Sequence, residues 1–309
     1  MSKKKTVKKS AAKRTGKSPD LISAVPIDNI RAGKLNFITP NLDIKKEDVW
    51  QNRVFLFTPS TGTVRMEWVQ SRYAQMIPTN WSFVEIMHFL SPYVPIGYQL
   101  ADAQNLMAKY VVEGDYQWII YIEHDNILPP DAFVRFNQYI NEQKVPVVSG
   151  LYFTKAEITE PLIYRGKGTS YFGDWKMGDK VWADGIPFGF RLEHAGLVKA
   201  AWENSEEYTV NGVVTRRVFK QPGAIWYDEE KGGMVSTGGT TDLAWCARIM
   251  EEKLFEKAGW PEYQKMKYPF LVDTNIFVKH IDQNGNIYPR SIPGKFVSPD
   301  KNYKGKVVK

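Results

Sequence analysis

Trp118-Ile119-Ile120-Tyr121-Ile122-Glu123-His124-Asp125-Asn126 is the stretch on which the fold turns. Five apolar residues in unbroken succession suit a strand covered on both faces, as in a parallel α/β sheet. The run then stops abruptly in polar, acidic residues. Downstream, Pro129-Pro130-Asp131 opens a predicted helix to about Gln143, since proline is tolerated in a first helical turn. Val145-Pro146-Val147-Val148-Ser149-Gly150 follows as another strand, with a proline that fits best at its start. Upstream, Val54 to Thr58 reads as a buried strand running into the loop Pro59-Ser60-Thr61-Gly62. Met66 to Met76 is compatible with a helix, and Trp81 to Phe89 with a strand. Ala101 to Val112 sets Leu106, Met107, Tyr110 and Val111 at helical spacing. Strands alternating with helices predict an α/β fold, Rossmann-like, with a mostly parallel central sheet flanked by helices.

The second half is less regular. Segment 151–240 is rich in Gly, Trp, Tyr and turn residues, with one predicted helix from His194 to Trp202. Thr241 to Lys257 reads as a helix, with Leu243, Ala247, Met250, Leu254 and Ala258 on roughly one face. Leu271-Val272-Asp273 and Ile276-Phe277-Val278 read as two short strands ending at Lys279-His280. The boundary near residue 150 divides one fold, spanning about 50–290, into a first half (50–150) and a second half (151–290).

The chain has 309 residues, 43% hydrophobic, enough to bury a sizeable core. Its single cysteine, Cys246, excludes an internal disulfide framework and a cysteine-cluster metal site, and suits a reducing compartment. No run approaches 18 apolar residues, so no membrane span is expected, and the charged N-terminus lacks the apolar segment of a secretory signal. The net charge of +7 is misleading. Of 41 Lys and Arg, eight lie before Ser18 and four after Asp300, with no acid among them; the 29 that remain face all 34 acidic residues. The body is acidic and the tails, 1–35 and 291–309, are basic. The Lys/Ser/Ala/Thr-rich first 35 residues cannot bury enough apolar surface to order, so a disordered tail is expected there. It attracts nucleic acid or an anionic membrane surface, or else serves only solubility.

Four groups carry chemistry. Glu123 and Asp125, two apart on an extended segment, point the same way at the carboxyl end of a buried strand, where ligands bind in open α/β sheets. Two hard oxygen ligands suit Mg²⁺ or Mn²⁺; the alternative is a polar turn capping the next helix. Gly238-Gly239-Thr240-Thr241-Asp242 leads into a helix, where Asp242 is either part of a cap or a general base kept ionised by the helix N-terminus. His280 is a lone histidine that only the company of Asp125 makes a ligand. In Asp184-Gly185-Ile186-Pro187-Phe188-Gly189-Phe190, glycines allow close backbone approach to a ligand, or simply turn a sheet corner.

Taken in order, these pieces resemble the GT-A fold of nucleotide-sugar-dependent glycosyltransferases, and family-2-like members in particular. The resemblance runs from Phe55-Leu56-Phe57-Thr58-Pro59 through Ala103-Gln104-Asn105-Leu106 to Tyr121-Ile122-Glu123-His124-Asp125-Asn126. It continues through Val147 to Tyr152, Gly189-Phe190 before a helix, Thr241-Asp242-Leu243-Ala244-Trp245-Cys246, and Val272-Asp273 with His280. It covers about residues 50–285. The resemblance implies a nucleotide-sugar-binding half at 50–150 and an acceptor half at 151–290. The Asp-x-Asp element falls on Glu123 and Asp125: Asp125 would hold Mn²⁺ or Mg²⁺ against the donor diphosphate, with Glu123 near the ribose or the metal, and His280 would complete the metal site. Asp242 would be the catalytic base of an inverting transfer. Thr58, Pro59 and Asn105 would border the nucleotide; Asp184, Gly185 and Gly189 would border donor sugar and acceptor. Three residues depart from the pattern: Glu123 replaces an aspartate, Gln104 stands where an arginine is common, and Thr241 stands where a second acid is common.

The function so implied is transfer of a sugar from a nucleotide-sugar donor to an acceptor hydroxyl, by a cytoplasmic enzyme, in the host cytoplasm if viral. The acceptor is a glycan or, drawn by the basic tail, hydroxylated bases in DNA. The competing class is a non-catalytic scaffold whose basic tail binds nucleic acid. A nucleotidyltransferase, releasing pyrophosphate, is a third, and no Gly-x-x-x-x-Gly-Lys phosphate loop is present.

Overall fold

The computed structural model describes residues 52–81, 95–166, 171–228 and 233–290, with the pairs 295–296 and 307–308. Nearly all of the two expected tails, and all of the expected Trp81–Phe89 strand but Trp81, lie outside these residues.

The central apolar run forms β2 (Trp118–Ile122), every residue of which is buried. Side chains alternate across a strand, and each face has its own cover. Trp118, Ile120 and Ile122 join one cluster with Val54 and Leu56 of β1 (Val54–Phe57) and with Phe133, Phe136 and Ile140. Those last three belong to an amphipathic helix, Ala132–Glu142, and their spacing of three and four makes one stripe. Tyr121, on the other face, packs edge-on to Phe57 and 4.6 Å from Phe188.

The helices are α1 (Met66–Tyr73), α2 (Leu100–Glu113), α3 (Ala132–Glu142), α4 (Gly196–Glu203), α5 (Thr241–Glu251), α6 (Leu254–Lys257) and α7 (Pro261–Gln264). α3 ends where Gln143 turns left-handed at φ 47°. The expected helix from Thr241 to Lys257 is two helices. The first ends at Glu251, and Lys253 at φ 54° redirects the chain into α6. The apolar spacing continues through this break, which is why the sequence reads as one helix.

Six strands form the central sheet in the order β1, β2, β6 (Phe190–His194), β4 (Val147–Leu151), β11 (Phe270–Phe277), β5 (Lys180–Ala183). β1, β2, β4 and β11 run one way, so the sheet is mostly parallel, as expected; β6 and β5 run against them. This is an α/β fold. Two expectations are corrected. His194 belongs to β6, which stands between Gly189 and helix α4. The two strands expected at 271–273 and 276–278 are one, β11, irregular between Asp273 and Phe277. Smaller hairpins, β7 (Glu207–Val210) with β8 (Val213–Arg216) and β9 (Gly223–Asp228) with β10 (Gly233–Gly238), fill the irregular second half.

This topology gathers the loops. The carboxyl ends of β1, β2, β4 and β11 lie at one edge of the sheet, and the reversed β6 begins there. Thr58-Pro59, Glu123, Tyr152, Val278 and Gly189 therefore meet at that edge.

Candidate metal centre and its surroundings

A second small sheet completes the edge. β3 (Asn126–Ile127) pairs antiparallel with β12 (Lys279–Ile281), setting His280 opposite Asn126, and β12 pairs in turn with β13 (Ile287–Tyr288). The Ile281 N–H donates to the Asp125 carbonyl at 2.8 Å. Residues 155 positions apart in the chain thus meet, and one ligand atom each from Glu123, Asp125 and His280 lies within 4.8 Å of the others.

Each ligand is held from behind. The Glu123 N–H donates to the Gly189 carbonyl at 2.8 Å, and its own carbonyl accepts from Trp68 Nε1 at 3.0 Å. His280 is buried, with Nδ1 bonded to the Phe153 carbonyl. A carbonyl can only accept, so Nδ1 carries the proton and Nε2 is the free lone pair. Asp125 Oδ1 is buried with no hydrogen-bond partner among the described residues, while Oδ2 pairs with Lys155.

The three groups act on one another's charge. Burial, then the charges of Asp125 and Asp242, push the Glu123 carboxyl up to about 8. Burial also works to raise Asp125, but His280 and Lys155 outweigh it and hold that carboxyl below its usual range. Burial keeps His280 itself below the usual imidazole value, so near neutral pH the opposing charge is the Lys155 ammonium. The ionised Asp125 with its orphaned oxygen, the neutral His280 imidazole and the Glu123 carboxyl, which a bound cation would help to ionise, together fit Mn²⁺ or Mg²⁺.

Asp242 stands in the first turn of α5. Burial raises its carboxyl, opposed by hydrogen bonds from Thr240 and the Leu243 N–H and by the charge of Arg191. The Leu243 N–H lies 2.9 Å from Asp242 Oδ1.

The other expected residues divide. Pro59 lines a cavity of about 390 Å³ with Ser60, Tyr98, Glu123 and Asp125 among others. Thr58 is buried behind it, its hydroxyl without a hydrogen bond among the described residues. Asp184 and Gly185 line a different cavity, about 660 Å³, with Leu243, Cys246, Met250 and Tyr268. Gly189 supports the metal centre from behind: a Cβ there would fall 2.5 Å from the Tyr152 hydroxyl and 2.6 Å from Asn126 Nδ2. Asn105 is a correction. It is buried, and its amide is consumed by the Phe219 N–H (2.7 Å), the Phe219 carbonyl (2.9 Å) and the Tyr208 hydroxyl (2.9 Å). It anchors α2 to the loop after β8 and leaves nothing for a nucleotide. Its neighbour Gln104 is fully buried with neither amide atom bonded among the described residues.

Sequence reasoning missed Lys155, Trp68 and Tyr152, and also Arg191 and Glu193, an ion pair with no exposed surface. Only the last pair carries a signal: charges two apart between Phe190, Leu192 and the following apolar helix.

No protein-family model matches the chain, nor does any curated protein sequence. Among solved structures, the crystal structure of A197 from STIV is similar over 76% of this chain and 92% of that chain, with a TM-score of 0.42 and 12% identity. At that score and identity the likeness carries no inference about what the protein does.

Proposed function

We propose that the protein is a divalent-metal-dependent glycosyltransferase that moves a sugar from a nucleotide-sugar donor to an acceptor hydroxyl with inversion. The observation that carries this reading is the convergence of Glu123, Asp125 and His280 at the sheet edge with Asp242 near enough for its charge to raise Glu123.

Asp125, His280 and Glu123 would hold the cation. A divalent cation bound there supplies positive charge against the departing diphosphate. The cavity bordered by Pro59, Ser60, Tyr98 and the acidic turn would take the nucleotide, with Thr58 behind it. The acceptor oxygen attacks the anomeric carbon as the bond from that carbon to the diphosphate oxygen breaks. The acceptor proton passes to the Asp242 carboxylate, whose burial raises its affinity for a proton and suits it to the task. The products are the glycosylated acceptor and a nucleoside diphosphate.

The test is a screen of single nucleotide sugars with purified protein and Mn²⁺, following nucleoside diphosphate release with and without chelator. Release from one donor, abolished by chelator, is expected. Asp242→Asn is expected to lower turnover at least ~100-fold while donor binding is kept. An Asp242→Asn protein with near-parental turnover would remove Asp242 from the role, and no release from any donor would leave the scaffold reading in its place.

A further inference from the structure

The reversed strand β6 carries Arg191 and Glu193 two residues apart, so both point to the same face of the sheet. Neither has any exposed surface, and they pair with each other. Removing two charges from water is expensive, and an apolar pair of similar volume is often as stable or more so. Here the pair holds something specific. Both Glu193 carboxylate oxygens accept from Trp245 Nε1 at 3.1 Å, and the Tyr121 hydroxyl lies at 3.4 Å. Arg191 Nη1 reaches Cys246 Sγ at 3.6 Å, and its guanidinium lies over the Phe188 ring, 4.9 Å from the centroid. Trp245 and Cys246 lie one turn beyond Asp242 on α5. Thr240 makes no side-chain cap to the helix; beside the ion pair, the segment is held by the Gln221 amide on the Gly239 carbonyl and by the Phe219 ring, 4.6 Å from that of Trp245. The Arg191 charge also acts on Asp242 directly, and its Nε has no partner among the described residues.

We infer that Arg191 and Glu193 are positioning residues for Asp242, clamping the first turns of α5 to the central sheet through Trp245 and Cys246. The catalytic part of this inference rests on the glycosyltransferase reading; the clamp does not.

The experiment uses the full chain, with hydrogen exchange, melting and turnover measured on the same variants. Arg191→Met combined with Glu193→Leu replaces the pair by apolar side chains, and Trp245→Phe keeps a ring but deletes the N–H that Glu193 accepts. The double variant should melt within a few degrees of the parent. The amides of Ala244 to Ala247, the first with helical partners, should exchange at least about tenfold faster. With the donor found by the screen, kcat should fall about tenfold or more with KM for the donor changed less than about twofold. Trp245→Phe should move the same quantities in the same direction by less. Unchanged exchange at Ala244 to Ala247 in a folded double variant would overturn the clamp, and if that variant does not fold, unchanged exchange in Trp245→Phe does so instead. Faster exchange with unaltered kcat would overturn the positioning of Asp242. A parent that releases no diphosphate from any donor removes the glycosyltransferase reading alone, and the exchange data still decide the clamp.

Discussion

Lys155 holds the place that a metal's charge would take beside Asp125. Lys155 bonds Oδ2 and leaves Oδ1 without a partner among the described residues, so a cation taken by Oδ1 would meet the charge of the ammonium beside it. Lys155→Met should raise Mn²⁺ affinity severalfold, measured by calorimetry on the protein without donor; unchanged or weaker affinity would show that the pair does not compete with metal. Glu123, Asp125 and His280 are legible in the sequence because an acidic turn after an unbroken apolar strand is a local pattern. Lys155 is not, because its role comes from a loop folding back across the sheet edge. Asn105 misleads for a related reason. A buried amide with three good hydrogen bonds and one exposed to a nucleotide look the same in a string of letters, and only the position of Phe219, 114 residues away, tells them apart.

At the scale of elements, β6 is the strand the sequence hides. Phe-Arg-Leu-Glu-His alternates apolar and charged residues, the pattern of a strand with one wet face, yet it lies between β2 and β4 with its first four residues, on both faces, buried. Its charges are satisfied by each other and by α5; a local window shows two charges set among apolar residues but not the distant partners that satisfy them. β1 and β2, uniformly apolar, and β4, interrupted only by Ser149 and Gly150, are legible without such help. Gly189, at the start of β6, is tightly enclosed, and its N–H donates to the Tyr152 hydroxyl at 2.5 Å. Gly189→Ala should lower stability by about 1–3 kcal/mol through overpacking and weaken Mn²⁺ binding, since the Gly189 carbonyl accepts the Glu123 N–H. Chemical denaturation and metal titration of the same sample check both parts, and parental values in both would remove this role from Gly189.

For the molecule as a whole, the pH response of stability is set partly by groups far from the metal centre. His194 packs edge-on to Trp118 and Trp260, and burial, helped by Lys199, drops its imidazole to about 4. The unfolded chain, with histidine near its ordinary value, binds that proton first. Stability is therefore full above about pH 6.5 and is lost as pH falls towards 4, by ~2–3 kcal/mol for this one group. Denaturation midpoints between pH 7 and 4.5 should fall less steeply in His194→Gln than in the parent; parallel slopes would exclude His194 as a source of acid sensitivity.

The pairing of β3 with β12 has a consequence in time as well as in space. During synthesis the chain exposes Glu123 and Asp125 long before His280 exists, and the three can converge only once residues 279–281 have emerged and docked beside Asn126. Such late, distant closure is slow relative to local folding. The growing chain therefore carries an incomplete candidate cation site until residues 279–281 have been made and docked, and a metal bound there at full affinity would mark the molecules that have finished folding.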